Sequence, residues 1–325
     1  MSTAAPSADP PAQAPVSWWR RLVPLGFAAL LVGYVLARID WPSFWRHLRA
    51  VSYPALGGFM LVFIVLLLGA DALATRYVYR HAVAPVSWRD LVLLRGASYL
   101  PSALNHHLGQ AWLTYVLSRV CRVSLARVAG ATLVVYATWA GCVLALGCIA
   151  IVASGYDLGW LALPIGAGVL YLALLAIKPA ALARNRVLAP LFEAGIGGHF
   201  VAMAVRLPHL CVLFCGTWLP FWFFGVHVPL GAALRVVPII MVAVTLPLTP
   251  QGFGTRDVLA ATFFESYVVT EGASHGERLA AVAAATTTQG VLIALIALGI
   301  GTLLMPHATK RLRAAEEQAA AERPA

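Results

Sequence analysis

Six long apolar stretches set the strongest constraint on the fold of this chain. A helix needs about 20 apolar residues to cross roughly 30 Å of hydrocarbon. Only 11% of the 325 residues are charged and 61% are hydrophobic, whereas soluble domains carry roughly 25% charged residues. The pattern therefore predicts an all-α polytopic membrane protein. The six stretches are 22–37, 54–74, 128–154, 158–177, 207–226 and 279–305.

Two further regions, 91–118 and 230–270, are apolar but interrupted. Each contains a Leu-Pro pair, at residues 100–101 and 246–247, followed by glycine. We interpret both regions as re-entrant, discontinuous helical hairpins, which gives six full transmembrane helices plus two hairpins. Interrupted segments at matching positions in two halves are typical of an inverted repeat in a transporter.

The basic residues support one orientation of this arrangement. With the N-terminus inside, 16 of the 23 basic residues fall in inside segments, five fall outside and two lie in the hairpins. Lys and Arg concentrate on the cytoplasmic side of membrane proteins. We therefore expect an integral protein of the bacterial cytoplasmic membrane with both termini in the cytoplasm. The outside residues are Arg38, Arg46, Arg49, Arg235 and Arg278, and the hairpin residues are Arg95 and Arg256.

Composition along the chain predicts three parts. Residues 1–17, rich in Ala, Pro and Ser, are expected to form a disordered tail. A single membrane domain follows over 18–305, with halves at about 18–180 and 181–305. Residues 306–325 end in Ala, Glu and Arg and are expected to form a solvated cytoplasmic tail.

The first hairpin carries a polar cluster in the stretch "LPSALNHHLGQ", residues 100–110. Broken backbone at membrane depth survives only inside protein or beside a water-filled cavity. Polar side chains here would serve the freed backbone, a ligand or both, and a purely structural role stays open. Adjacent histidines on a helix point about 100° apart, so no metal site is expected. The candidate substrate-binding residues are Asn105, His106, His107, Gly109 and Gln110.

The second hairpin carries the stretch "LPLTPQGFGTRD", residues 246–257, in which two prolines and two glycines exclude an ordinary helix. Arg256 suits a phosphate group, because its planar guanidinium donates two parallel hydrogen bonds. A mutual Arg256–Asp257 tether that locks the turn is an equal alternative. The candidate residues are Pro250, Gln251, Gly252, Gly254, Arg256 and Asp257.

Two more polar residues lie inside predicted spans. Asp71 is near the cytoplasmic end of its span, where Arg76 is the expected partner. Gln289, near mid-span, is a further candidate for the cavity. Buried polar groups in a membrane indicate function by default.

The sequence lacks the parts of an enzyme. It has 13 acidic residues, no paired-carboxylate motif, no GxSxG, no P-loop and no HExxH. Its five cysteines form no CxxC pair. The basic residues are scattered over short loops, which excludes a nucleic-acid role. We expect no enzymatic activity, no metal and no cofactor.

The two hairpins resemble those of the flippase-like integral membrane family that includes the transmembrane region of lysylphosphatidylglycerol synthase. The first half of that family carries an Asn-rich stretch with Pro and then Gly-Glu, where this chain has "LPSALNHHLGQ". The second half carries a Pro-Gly-Gly-x-Gly-x-Arg-Glu turn, where this chain has "PQGFGTRD". Spacing and span pattern agree over roughly 20–305. The matching positions in the second turn are Pro250, Gly252, Gly254, Arg256 and Asp257.

Departures from the family pattern indicate a divergent branch. Gln110 stands where relatives often have Glu, and Asp257 replaces the second Glu. The synthase proper also has a large soluble aminoacyl-transfer domain after its membrane region, and this sequence has none. The resemblance therefore implies lipid translocation without lipid-modifying chemistry.

These observations predict a flippase-type transporter that moves a lipid or lipid-linked molecule between leaflets, with the head group in a polar cavity between two broken helices. One alternative is a carrier of a small anionic solute, which would need a path sealed from lipid. Another is a non-transporting membrane partner of a lipid- or glycan-modifying enzyme.

Overall fold

The computed structural model describes residues 26, 29–31, 33–155, 157–245, 254–270 and 272–322, without the side chains of residues 106, 244 and 245. These residues form helices and short connections, with one isolated β-bridge between Val226 and Val268. The predicted all-α fold is confirmed for this part of the chain. The predicted tail at 1–17 lies outside the described residues.

Eleven helices of six or more residues organise the described chain downstream of residue 40. They are α1 (Trp41–Ala50), α2 (Tyr53–Ala82), α3 (Trp88–Ala97), α4 (Tyr99–Leu104), α5 (His106–Val120), α6 (Leu125–Ser154), α7 (Ala162–Ile177), α8 (Ala189–Trp218), α9 (Leu230–Thr245), α10 (Thr255–Phe264) and α11 (His275–Ala321). The remaining pieces are the 3₁₀ helices Leu158–Leu161, Leu219–Phe224 and Glu265–Tyr267 and the four-residue α-helix Ala180–Ala183.

Five helical segments in the described residues are long and apolar enough to cross a membrane. They coincide with five of the six predicted stretches, and seven of the 16 residues of the sixth, 22–37, lie outside the described residues. Together these features identify an integral membrane protein. The five segments are Tyr53–Ala82, Leu125–Ser154, Leu158–Ile177, Leu207–Phe224 and His275–Ala321.

The first interrupted region breaks at Ser98 and Asn105. Pro101 and Gly109, the proline and glycine from which a break was predicted, both lie inside helices. Pro101 lies in the first turn of α4, where a missing N–H removes no helical hydrogen bond. Asn105 is extended, with φ −160° and ψ 129°, and its side chain accepts from the backbone N–H of His107 at 2.8 Å. This side chain therefore caps α5 and supplies the partner that the broken backbone needs.

The second interrupted region separates α9 from α10. Residues 246–253 lie outside the described residues, and they include the candidates Pro250, Gln251 and Gly252. Gly254 follows with φ +81°, a left-handed conformation that favours glycine.

We call the end of the bundle at which α11 finishes the tail end. The start of α3 and the end of α5, which bound the first interrupted region, both lie there. Asp90, in the first turn of α3, accepts from Arg311 of α11 at 3.0 Å. Arg122, just after α5, pairs with Glu322 beyond the last turn of α11 at 2.6 Å. The first interrupted region therefore begins and ends at the same end of the bundle, the tail end.

The second interrupted region starts and finishes at the opposite end, where α11 begins. The backbone N–H of His227, before α9, donates to the carbonyl of Tyr267, after α10, at 2.9 Å. Arg278, in the first turns of α11, bonds to Glu265 at 3.2 Å. The two interrupted regions therefore attach to opposite ends of the same long helix.

Helix α11 packs against both interrupted regions. Its residues 280–285 are small and fully buried, which lets neighbouring helices approach closely. Gly301 faces the first region so closely that a Cβ there would lie 2.6 Å from the backbone nitrogen of Leu100. The segment predicted as a tail from residue 306 continues this helix to Ala321.

We expect Gly301→Ala to lower the free energy of unfolding by about 1–3 kcal/mol, because the added methyl group meets backbone that cannot move aside. Gly299→Ala is the matched control, since no atom lies within 4 Å of its Cβ position. Alanine favours a helix over glycine by roughly 1 kcal/mol, so the control should be neutral or stabilising. Thermal unfolding in detergent micelles measures both, and equal effects would contradict the close contact.

Candidate functional site

A charged cluster lies among the helices, around one carboxylate on α2. Nε of Arg95 donates to Oδ2 of Asp71 at 2.9 Å, and Nη1 of Arg206 donates to Oδ1 at 3.4 Å. The other end of Arg95 donates from Nη1 to Oε1 of Gln110 at 2.9 Å. Nδ1 of His209 lies 4.0 Å from Asp71. We call these five residues the Asp71 cluster; it joins α2, α3, α5 and α8.

The Asp71 cluster is buried and carries a surplus of positive charge. Asp71 is 8% exposed and Arg206 2% exposed. Two guanidinium groups face a single carboxylate, so one positive charge is left without a counter-charge inside the cluster. Charges buried at membrane depth are expensive, and they are typically paired or functional.

Arg206 is incompletely satisfied. Its Nε and Nη2 atoms are buried and have no hydrogen-bond partner among the described residues. A guanidinium group carries five N–H donors, and leaving buried donors unpaired is costly. This side chain is therefore able to bind an additional acceptor.

One prediction about this cluster was wrong. Asp71 does not pair with Arg76, whose Nε donates to the carbonyl of Val86 at 3.2 Å. Arg206, one of the basic residues counted in the inside segments, is buried within α8. The sequence did indicate that Asp71 needs a partner, because an isolated acid in an apolar span must be paired with a cation. It did not indicate which cation.

The polar residues of the first interrupted region have different roles. Gln110 joins the Asp71 cluster through Arg95. Asn105 is exposed and caps α5. Gly109 is buried where α5 meets α4, since a Cβ there would lie 2.6 Å from the carbonyl oxygen of Ser98. His107 is exposed and gives its backbone N–H to Asn105, while the side chain of His106 lies outside the description.

Arg256 lies in the first turn of α10 and reaches α11. Its Nη2 atom donates to the backbone carbonyl of Thr286 at 3.0 Å, and its Nε atom is buried without a partner among the described residues. The nearest oxygen of Asp257 is 3.9 Å away. Asp257 instead accepts the backbone N–H of Gly254 at 3.0 Å and so caps α10. This geometry favours a weakly tethered arginine, beside the positive end of a helix dipole.

Gln289 lies one turn from Thr286 on α11, and both residues therefore share a helix face. Its amide nitrogen donates to the carbonyl of Gly216 on α8 at 2.6 Å, and its Oε1 atom is buried without a partner among the described residues. The contact of Arg256 with Thr286 and the contact of Leu100 with Gly301 lie about 22 Å apart along the helix axis. The two interrupted regions thus meet different parts of α11.

A groove of about 800 Å³ lies beside the first interrupted region, between α4 and the last part of α11. Thr302, Met305 and Pro306 line it toward the middle of α11. The charged residues Lys310, Arg313 and Glu317 line it toward the tail end. Pro306 has no N–H, so the carbonyl of Thr302 in the groove lacks its helical partner. The lining residues are Leu100, Thr302, Met305, Pro306, Thr309, Lys310, Arg313, Ala314 and Glu317.

Metal binding has no support in the described part of the chain. No three His, Cys, Asp or Glu side chains group there in a way that would hold an ion. The absence of a metal or cofactor stays a prediction.

Comparison with known proteins gives a family match. The family model described as lysylphosphatidylglycerol synthase TM region matches residues 21–299, which include both interrupted regions and the whole Asp71 cluster. The family resemblance predicted from the two motifs is confirmed. No curated protein and no solved structure matches the chain.

We expect Gln110→Glu to stabilise the fold by about 1 kcal/mol, because a carboxylate would neutralise the surplus charge and strengthen the bond from Arg95. Gln318→Glu is the matched control, since Gln318 accepts from Arg122 at 3.3 Å on the exposed surface. An exposed pair contributes roughly 0–1 kcal/mol. Chemical or thermal unfolding in micelles measures both, and destabilisation by Gln110→Glu would contradict a net positive cluster.

Proposed function

Because this chain belongs to the family of the lysylphosphatidylglycerol synthase transmembrane region, we propose that it moves an anionic lipid or lipid-linked molecule between membrane leaflets. The observation that carries this proposal is the groove beside the first interrupted region. It combines an apolar lining, including Leu100 and Met305, with the basic side chains of Lys310 and Arg313.

The groove favours a lipid over a small soluble anion. A soluble anion needs a path enclosed by protein, whereas a lipid can keep its acyl chains in the bilayer while its head group enters the protein. An apolar surface that continues into two basic residues offers both kinds of contact. Basic residues close to a membrane surface attract anionic lipids by about 1 kcal/mol each.

The buried arginines support a site for the head group deeper in the protein. Arg256 has an unpartnered Nε atom and stands at the N-terminus of α10, where the helix dipole favours an anion. In this proposal Arg256 contacts head-group oxygens, and Gln289 on the facing helix adds neutral hydrogen bonds. Pro250, Gln251 and Gly252 belong to the same proposed site by their place in the sequence.

We also propose that both interrupted regions are re-entrant hairpins in an inverted repeat. Their attachment to opposite ends of α11 supports this arrangement, as does the asymmetry of the basic residues. The tail end then faces the cytoplasm of a bacterial cell, and rocking of one half against the other exposes the site to each side in turn. The proposal includes no enzymatic activity.

Reconstitution into liposomes with a labelled anionic phospholipid tests the function. We expect Arg256→Ala to slow translocation by about tenfold or more, since a hydrogen bond to a charged group contributes roughly 1.5–3 kcal/mol. Arg235→Ala is the matched control, because Arg235 is an exposed arginine on α9 that bonds only within its own helix in the described structure. A rate unchanged by Arg256→Ala would favour the alternative of a non-transporting partner of a lipid- or glycan-modifying enzyme.

The groove is tested with the pair Lys310→Gln and Arg313→Gln. Loss of two surface charges should slow translocation of an anionic lipid by roughly 5- to 30-fold and leave a zwitterionic lipid nearly unaffected. Lys178→Gln with Arg184→Gln is the control, since both residues are exposed and lie outside the groove. Equal slowing of both lipids would count against electrostatic capture at the groove, and transport of a soluble anion instead of lipid would favour the small-solute carrier.

A further inference from the structure

We infer that Arg206 and Arg95 form a second binding site, for a phosphate-type oxyanion, in which Asp71 balances one of the two positive charges and the unpaired edge of Arg206 receives the anion. Of the family motifs only Gln110 belongs to this cluster, where it accepts from Arg95. As a binding site it rests on its own geometry; as a second station for a lipid head group it rests on the proposed function.

The first argument is the balance of charge. Asp71 supplies one negative charge to two arginines that are both held among packed helices. A buried cation without a counter-charge is strongly destabilising. An incoming monoanion would make the cluster neutral, and so the cluster attracts anions.

The second argument is the geometry of Arg206. Asp71 is bonded closely by Arg95 at 2.9 Å and only loosely by Nη1 of Arg206 at 3.4 Å. The unpartnered atoms of Arg206, Nε and Nη2, lie on one edge of the planar guanidinium. That edge holds two parallel N–H donors, which match two oxygens of a phosphate group. The free edge therefore indicates the class of ligand.

The third argument is access. The side chain of Arg95 is 24% exposed, whereas that of Arg206 is 3% exposed. Arg95 lies on α3, and Leu100, at the start of α4, lines the groove. An anion that enters beside the first interrupted region would meet Arg95 first and Arg206 behind it. A lipid phosphodiester and free phosphate share the chemistry that this site recognises.

The experiment uses the full chain purified in detergent and follows thermal unfolding. Inorganic phosphate replaces chloride at constant ionic strength, and a second arm compares micelles containing phosphatidylglycerol with micelles containing phosphatidylcholine. We expect phosphate-type anions to raise the unfolding temperature of the wild type by at least about 2 °C. A rise with phosphatidylglycerol alone assigns the site to a lipid head group, and a rise with phosphate as well assigns it to the shared oxyanion.

The decisive variant is Asp71→Asn, which removes the internal anion but keeps the shape of the side chain. It should unfold at a lower temperature in chloride and gain more from the anion than the wild type does. Arg206→Lys should still fold but lose most of the anion effect, because lysine lacks the two-donor edge. Asp90→Asn is the control, since Asp90 is paired with Arg311 at the tail end, outside the cluster.

A purely structural cluster would give a different result. In that case Asp71→Asn would lose stability and gain no more from phosphate or phosphatidylglycerol than the wild type, and the inference would be overturned. Arg256→Ala separates this result from the proposed function. If Arg256→Ala abolishes lipid movement while Arg206→Lys leaves the anion effect intact, the function stands and this second site does not.

Discussion

The arrangement of helices depends on the ion pairs that the carboxylate of Asp71 makes with Arg95 and Arg206. In a bilayer no water is present to solvate a charge, so every buried ion must find its partner inside the protein. Asp71 binds Arg95 of the first interrupted region and Arg206 of α8 at the same time. Asp71 on α2 therefore fixes the position of the first interrupted region relative to α8.

The same requirement explains how the chain tolerates interrupted helices. The break at Asn105 is satisfied by the side chain of that residue, and the start of α10 is satisfied by Asp257. In both places a short polar side chain replaces the hydrogen bonds that a continuous helix would have made. Arg256 then lies at the second of these breaks with a buried Nε donor that has no partner among the described residues.

Sequence patterns predicted much of this architecture. The length of an apolar stretch predicts a membrane-spanning helix, and glycine and proline predict its interruption, and both are local properties of the sequence. The pairing of Asp71 was not predictable in the same way. Its partners lie 24 and 135 positions away, and only the packing of α2, α3 and α8 brings them together. Local rules also misplaced the first break, since proline interrupts a helix interior but not its first turn. Arg256 could be proposed as a site residue from the sequence because its glycine-rich neighbourhood is local.

Helix α11 gives the bundle one mechanical property. It has 47 residues, which corresponds to about 70 Å of length, more than twice the thickness of the hydrocarbon. Thr286 and Gly301 on this rod touch the two interrupted regions. Because a continuous helix is stiff, a movement of α11 that changes its contact at Thr286 also changes its contact at Gly301. The positions of the two interrupted regions are therefore coupled through α11.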